Sequence, residues 1–244
     1  MATLKLLLLI AIIPGQHSCM TPPNGRPASG ELRRQTTWEL AIPRAAALFK
    51  VLFWLWTLSE SIILFAATGY CPSALSKIIT YHLVRSDDPQ RALTQISSLS
   101  PTFVAGSVLS IMGGLLRTHC YRTLGKMFTF ELSIRKEHKL ITSGVYGIVR
   151  HPGYTGGISV LLGFLLCSLS RDSWLVACSP LSPGQVEPMM ANVLRGAWIL
   201  MFAMFGVGLV RRMNNEDAML EQNFGKEWKE WAKRVPWRLI PWVY

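Results

Sequence analysis

The run M-A-N-V-L-R-G-A-W-I-L-M-F-A-M-F-G-V-G-L-V, residues 190 to 210, carries one charge, Arg195. About 20 mostly apolar residues, rising 1.5 Å each, cross about 30 Å of hydrocarbon, so this stretch reads as a transmembrane helix. Working outward, four more stretches approach that length. Residues 155 to 178 start from T-G-G-I-S-V-L-L-G-F-L-L-C-S-L and continue past Arg171 and Asp172. Residues 99 to 116 are uncharged, and residues 45 to 68 are broken by Lys50 and Glu60. Residues 2 to 20 hold Leu6 to Ile13 ahead of Pro14 and Gly15. The expected fold is therefore all-α: one polytopic membrane domain, 1 to 244, of about five spans. Lys50, Glu60 and Arg195 inside those spans are left to pair, to face a channel or to snorkel.

Composition agrees. Half of the 244 residues are hydrophobic and 16% are charged, against about 25% in a soluble domain. Disordered, collagen-like and coiled-coil chains are excluded. The first stretch, with Lys5 near its start and small residues at Ser18 and Cys19, also fits a cleaved signal peptide. The insert 21 to 44, with Pro22, Pro23 and Pro27, reads as a linker.

The net charge of +11 has to be read loop by loop. Residues 117 to 154 carry seven Lys/Arg (Arg117, Arg122, Lys126, Arg135, Lys136, Lys139, Arg150) against two Glu, and the tail 211 to 244 carries seven more. Loop 170 to 189 holds only Arg171 against Asp172 and Glu187. Segment 117 to 154 and the tail belong together on the cytosolic side, with the N-terminus opposite, and no nucleic acid is implied. Asn214 or Asn215 reads as the N-cap of a tail helix that Gly225 breaks and Pro236 ends. Trp228, Trp231, Trp237 and Trp242 read as interfacial anchors. Five scattered cysteines without C-x-x-C support neither disulfides nor a metal and are taken as buried apolar residues.

There is no P-loop, H-E-x-x-H or G-x-S-x-G. What remains is a polar cluster: His138, Tyr146, Arg150, His151 and Tyr154 from one segment, with Arg212, Glu216 and Asp217 from another. Singly, Arg150 and Arg212 read more readily as anchors at helix ends. Pro152 starts the fourth span, and Gly153, Gly156 and Gly157 leave room for a packed neighbour or a ligand.

The run H-K-L-I-T-S-G-V-Y-G-I-V-R-H-P-G-Y-T-G, His138 to Gly156, is followed by R-x-x-x-E-D from Arg212 and F-G-K-E-W-K-E-W-A-K-R-V-P ending at Pro236. In that order, separated by two apolar spans, the blocks resemble the isoprenylcysteine carboxyl methyltransferases. The resemblance implies a multi-pass endoplasmic reticulum enzyme with its site facing the cytosol. It would use S-adenosylmethionine to methylate the terminal carboxylate of prenylated, CaaX-processed proteins, and would admit the lipid between membrane helices. Cofactor contacts carried over are His138, Lys139, Leu140, Ile141, Tyr146, His151, Pro152, Gly153, Tyr154 and Glu216, with Glu131 where some relatives have an amide. Arg212 would hold the substrate, and Arg212 and Glu216 are the expected catalytic pair. Asp217 stands where many members have a second Glu, and Trp228 and Trp231 replace tyrosines.

The chemistry fits. A terminal carboxyl, with a pKa near about 3.5, is already ionised at neutral pH, so no base is needed. Positioning alone contributes up to about 7–11 kcal/mol. Arg212 offers a bidentate fork for the carboxylate, and Glu216, one turn on, offsets cationic or hydroxyl groups of the cofactor. The alternative, a phosphatidylethanolamine N-methyltransferase, takes a protonated amine that needs a base and that Arg212 repels. A sterol-reductase-like enzyme should show more helices and a basic cluster for phosphate, and a non-catalytic scaffold has no use for an intact polar set.

Overall fold

The computed structural model describes residues 1–28, 30–32, 37–84, 86, 88–134, 138–178 and 188–244. Arg135, Lys136 and Glu187, counted above for topology, lie outside them. In chain order the helices are α1 (Ala2–Cys19), α2 (Thr37–Ala66), α3 (Ser73–Leu83), α4 (Pro89–Ile96), α5 (Pro101–Leu124), α6 (Pro152–Leu169), α7 (Trp174–Ala177), α8 (Pro188–Phe224) and α9 (Lys226–Arg234). Short 3-10 turns lie at Gly125–Met127 and Gly144–Gly147. Among the described residues five helices, α1, α2, α5, α6 and α8, are long and apolar enough to cross a membrane.

The spans differ from the sequence reading at their ends. α2 begins at Thr37, with Pro43 inside it, so the linker is shorter than expected. Helices α3 and α4 were not anticipated; Asp88 caps α4 by accepting from the Arg91 N–H at 2.9 Å. α5 continues to Leu124, which draws Arg117 and Arg122 out of the expected loop and into a helix. The fourth span is not one helix over 155 to 178. α6 starts at Pro152 and stops at Leu169, because Asp172 turns inward to an ion cluster, and α7 is a separate turn. α8 runs unbroken through Asn214 and Asn215, so neither is an N-cap. The break falls at Gly225 with φ +52°, a conformation that glycine adopts without cost.

Small residues bring the backbones together. A Cβ on Gly113 would lie 2.7 Å from the Gly156 carbonyl oxygen, and one on Gly163 would lie 2.5 Å from that of Gly106, which fixes α5 against α6. Gly15 and Gly114 meet in the same way and dock α1 on α5. α1 thus packs against α5 through these glycines.

Charge pins the bundle's other end. Lys5, wholly buried, lies 2.8 Å from the Glu60 carboxylate and 3.5 Å from that of Asp172, and it donates to the Ile96 and Asp172 carbonyls. Asp172 also accepts from the Ser100 N–H and hydroxyl, and Glu60 from the Trp174 N–H. Lys50 donates to the Thr21 hydroxyl at 2.9 Å, while Arg195 stays exposed beside Asn192. Four cysteines are buried as expected; Cys71 is only half-buried.

Candidate functional site

The C-terminal end of α1, the N-terminal ends of α2 and α6, the C-terminal part of α5 and the C-terminal half of α8 converge on one pocket, which the 128–141 connector and α9 close. Its empty volume, open mouth included, is about 1300 Å³. A second, apolar groove of about 920 Å³ runs between α2 and α8, from Ala41 to Phe49 on one side and Ala197 to Gly208 on the other. Ile42, Phe49 and Phe205 line both cavities, which are therefore neighbours.

Tyr154 is the centre of the polar wall. Its hydroxyl donates to Glu216 Oε2 at 2.7 Å and accepts from Arg212 Nε at 2.9 Å, so it bridges two residues that sit one turn apart on α8. Arg212 is buried, and so is His151, the N-cap of α6. Pro152 opens the helix with a φ already fixed for it.

Asp217 holds this turn in place. It lies 2.9 Å from His151 Nε2 and 3.4 Å from both Arg150 Nη1 and Arg238 Nε. The Arg150 and His151 N–H groups donate to the Trp237 and Arg238 carbonyls, each at 2.9 Å, and the Thr155 hydroxyl donates to Leu239 O at 2.8 Å. The segment after Pro236 is therefore a strap across the start of α6. Arg150 is not a surface anchor: it is buried against Asp217 and over the Trp228 ring, and burial lowers its pKa while Asp217 opposes the shift. Trp231 is not interfacial either; it is buried in the pocket wall and donates to the Tyr146 carbonyl at 3.0 Å.

The connector supplies the opposite face. Tyr146 is buried beside Cys120, and burial pushes its phenol pKa up. His138 packs 5.9 Å from the Phe224 ring, and its Nδ1 is buried without a hydrogen-bond partner. Burial lowers the His138 pKa, only partly offset by Glu216, so the ring is neutral at pH 7.

Of the residues expected from sequence, Glu131, His138, Leu140, Ile141, Tyr146, His151, Gly153, Tyr154, Arg212 and Glu216 line this pocket together. Glu131 is also 3.4 Å from Arg26. Lys139 is exposed, with its backbone N–H on Met127 Sδ, and Pro152 is buried beneath the lining. Sequence reasoning had Asp217 in the polar cluster but gave it no role, and it missed Arg117, which was counted as loop charge.

The fold and site define a multi-pass helical membrane protein with a polar pocket at one end of its spans and an apolar groove beside it. Residues 106–180 match the model of the isoprenylcysteine carboxyl methyltransferase (ICMT) family, a span that takes in the first motif block. The chain is 33% identical to protein-S-isoprenylcysteine O-methyltransferase B of Arabidopsis thaliana over 54% of its own length and 55% of that protein's. It is 27% identical to the protein-S-isoprenylcysteine O-methyltransferase of Homo sapiens, over 72% of this chain and 53% of that one. A Delta(14)-sterol reductase of Mus musculus is 30% identical over 43% of this chain but only 20% of its own length. The chain spans about half the length of the methyltransferases it matches.

Proposed function

We propose that this protein methylates the C-terminal carboxylate of prenylated, CaaX-processed proteins, using S-adenosylmethionine as donor. The observation that carries the reading is a juxtaposition: the Arg212–Tyr154–Glu216 bridge faces a pocket that shares Ile42, Phe49 and Phe205 with an apolar groove.

The residues present fit the donor. The buried, unpartnered Nδ1 of a neutral His138 offers an acceptor for an adenine or ribose donor, and Gly153 leaves open backbone beside Phe128. Glu216 offsets the donor's cationic amino end, while Tyr146, Leu140 and Ile141 give apolar cover. Once bound, the donor supplies a methyl carbon activated on a sulfonium. The acceptor carboxylate arrives ionised, so the chain has no proton to move and acts by placement. Arg212 is fixed by Tyr154 and holds the carboxylate; the prenyl chain lies in the α2–α8 groove, which spares it contact with water.

The basic residues clustered at the pocket end support a cytosolic orientation, and the resemblance to the family is what supports the endoplasmic reticulum membrane. Arg212 disfavours an amine acceptor, and hence the phospholipid N-methyltransferase alternative. The test is to fill the groove. Ala45→Trp and Gly208→Trp should abolish methylation of N-acetyl-S-farnesylcysteine while leaving S-adenosylhomocysteine binding intact. Full activity in both variants would refute the assignment of the groove.

A further inference from the structure

The 11 residues of α3 rise about 16 Å, too little to cross about 30 Å of hydrocarbon, and none of them is buried. The helix lies at the end of the bundle away from the pocket, because it follows the C-terminal end of α2, whose N-terminal end lines that pocket. One strip holds it to the bundle. Ile79 and Leu83 pack on the core, the Ser76 hydroxyl donates to the Ala66 carbonyl at 3.0 Å, and the Leu83 carbonyl accepts from the Trp174 indole at 2.9 Å.

The rest of its surface divides by polarity. At 3.6 residues per turn, Ser73, Lys77 and Thr80 fall within about 60° of one another. The remaining face carries Ala74, Leu75, Ile78 and Tyr81, with His82 in the last turn, and Leu75, Ile78 and Tyr81 are 43%, 57% and 77% exposed. An amphipathic helix on a water-soluble surface needs one apolar strip, toward the core; α3 has a second, pointing out. The surface it continues is one that faces lipid. Leu55, Leu58, Ile62 and Phe65 form the exposed stripe of the α2 span, and Ser76 fastens α3 to Ala66, the residue after that stripe ends. Exposed Tyr70, just before α3, and Tyr81, in its last turn, are the aromatic residues expected at a membrane–water boundary.

We propose that α3 is an interfacial helix, which lies in the plane of the membrane in the leaflet opposite the pocket. Leu75 and Ile78 rest among the upper acyl chains, Tyr81 and His82 reach the headgroups, and Ser73 and Lys77 face water. Because Ser76 and Leu83 tie the helix to α2 and α7, its contact with phospholipid sets the level of these span ends in the bilayer.

The test uses the full chain in phosphatidylcholine nanodiscs, with Cys71→Ser as parent because the other four cysteines are buried. A nitroxide is attached in turn at Leu75→Cys, Ile78→Cys, Ser73→Cys and Lys77→Cys. Electron paramagnetic resonance reads its collisions with oxygen, which concentrates in lipid, and with a neutral nickel chelate, which stays in water. The balance should shift toward oxygen at Leu75 and Ile78 and toward nickel at Ser73 and Lys77. Each labelled protein should keep the parent's unfolding midpoint, since none of the four side chains is buried. Nickel contact at all four positions would put α3 in water, and shielding of Leu75 and Ile78 from both reagents would put a protein surface over them; either result overturns the proposal.

Discussion

Replacing Asp217 with alanine should damage the pocket without touching any ligand. The carboxylate meets three groups, His151 at 2.9 Å and Arg150 and Arg238 at 3.4 Å each, and it is 4% exposed. Taking away one side of a buried ion pair costs about 3–5 kcal/mol, because the remaining charge, here on buried Arg150, stays desolvated. In a chain of this size each kcal/mol lowers the midpoint by about 2–4 °C, so Asp217→Ala should melt roughly 10 °C below wild type. The His151 ring also loses its fixed partner, and the strap after Pro236 loses an anchor. Affinity for S-adenosylhomocysteine should therefore fall about tenfold, or 1.4 kcal/mol. Asp217→Asn keeps an acceptor for His151 but not the charge facing the two arginines, and should fall between. The assay pairs thermal unfolding of the detergent-solubilised protein with calorimetric titration of S-adenosylhomocysteine. An Asp217→Ala protein that melts within about 2 °C of wild type and binds as well would refute the account of Asp217 as the hub.

Other variants separate the roles assigned above. Arg212→Ala should abolish carboxyl methylation with little loss of S-adenosylhomocysteine affinity, whereas Glu216→Ala should weaken that affinity; equal losses in both would contradict the division. Lys5→Met strands Glu60 and Asp172 without a cation and should cost about 3–5 kcal/mol, while adding Glu60→Gln should recover part of it; unfolding midpoints of the single and double variants decide this. His138, with its folded pKa below the ordinary value, binds fewer protons folded than unfolded, so its contribution is complete above about pH 6.5 and is lost as pH falls toward the folded pKa. His138→Gln should flatten the decline in stability as pH falls below about 6.5, and a decline unchanged by the substitution would assign it to other groups.

The spans were legible because lipid leaves the chain few options: an uncharged run such as 99 to 116 must satisfy its own backbone, and a helix does so. Their ends were not, because Pro43 and the Asn214–Asn215 pair read as boundaries while the helices run through them. α3 and α4 carry too short an apolar pattern to stand out. The ion cluster was invisible for another reason. Lys5, Glu60 and Asp172 are far apart in sequence, and each taken alone reads as an interruption or a flank. The motif residues of the pocket could be found from the resemblance, since they lie in two compact blocks. Arg117 could not, because a basic residue after an apolar run reads as a topology signal until the helix is seen to carry it another seven residues to Leu124. The cue was present in Gly153, Gly156 and Gly157: Gly156 lies against the α5 backbone, and the Arg117 side chain lies over Gly157 and binds the Gly153 carbonyl.

The most direct measurement is transfer of labelled methyl from S-adenosylmethionine, by membranes containing this protein, to N-acetyl-S-farnesylcysteine, with phosphatidylethanolamine offered in parallel. The account predicts label in a base-labile ester on the cysteine derivative and none on the lipid. Label on the lipid amine, or on neither acceptor in protein shown to bind S-adenosylhomocysteine, would contradict it.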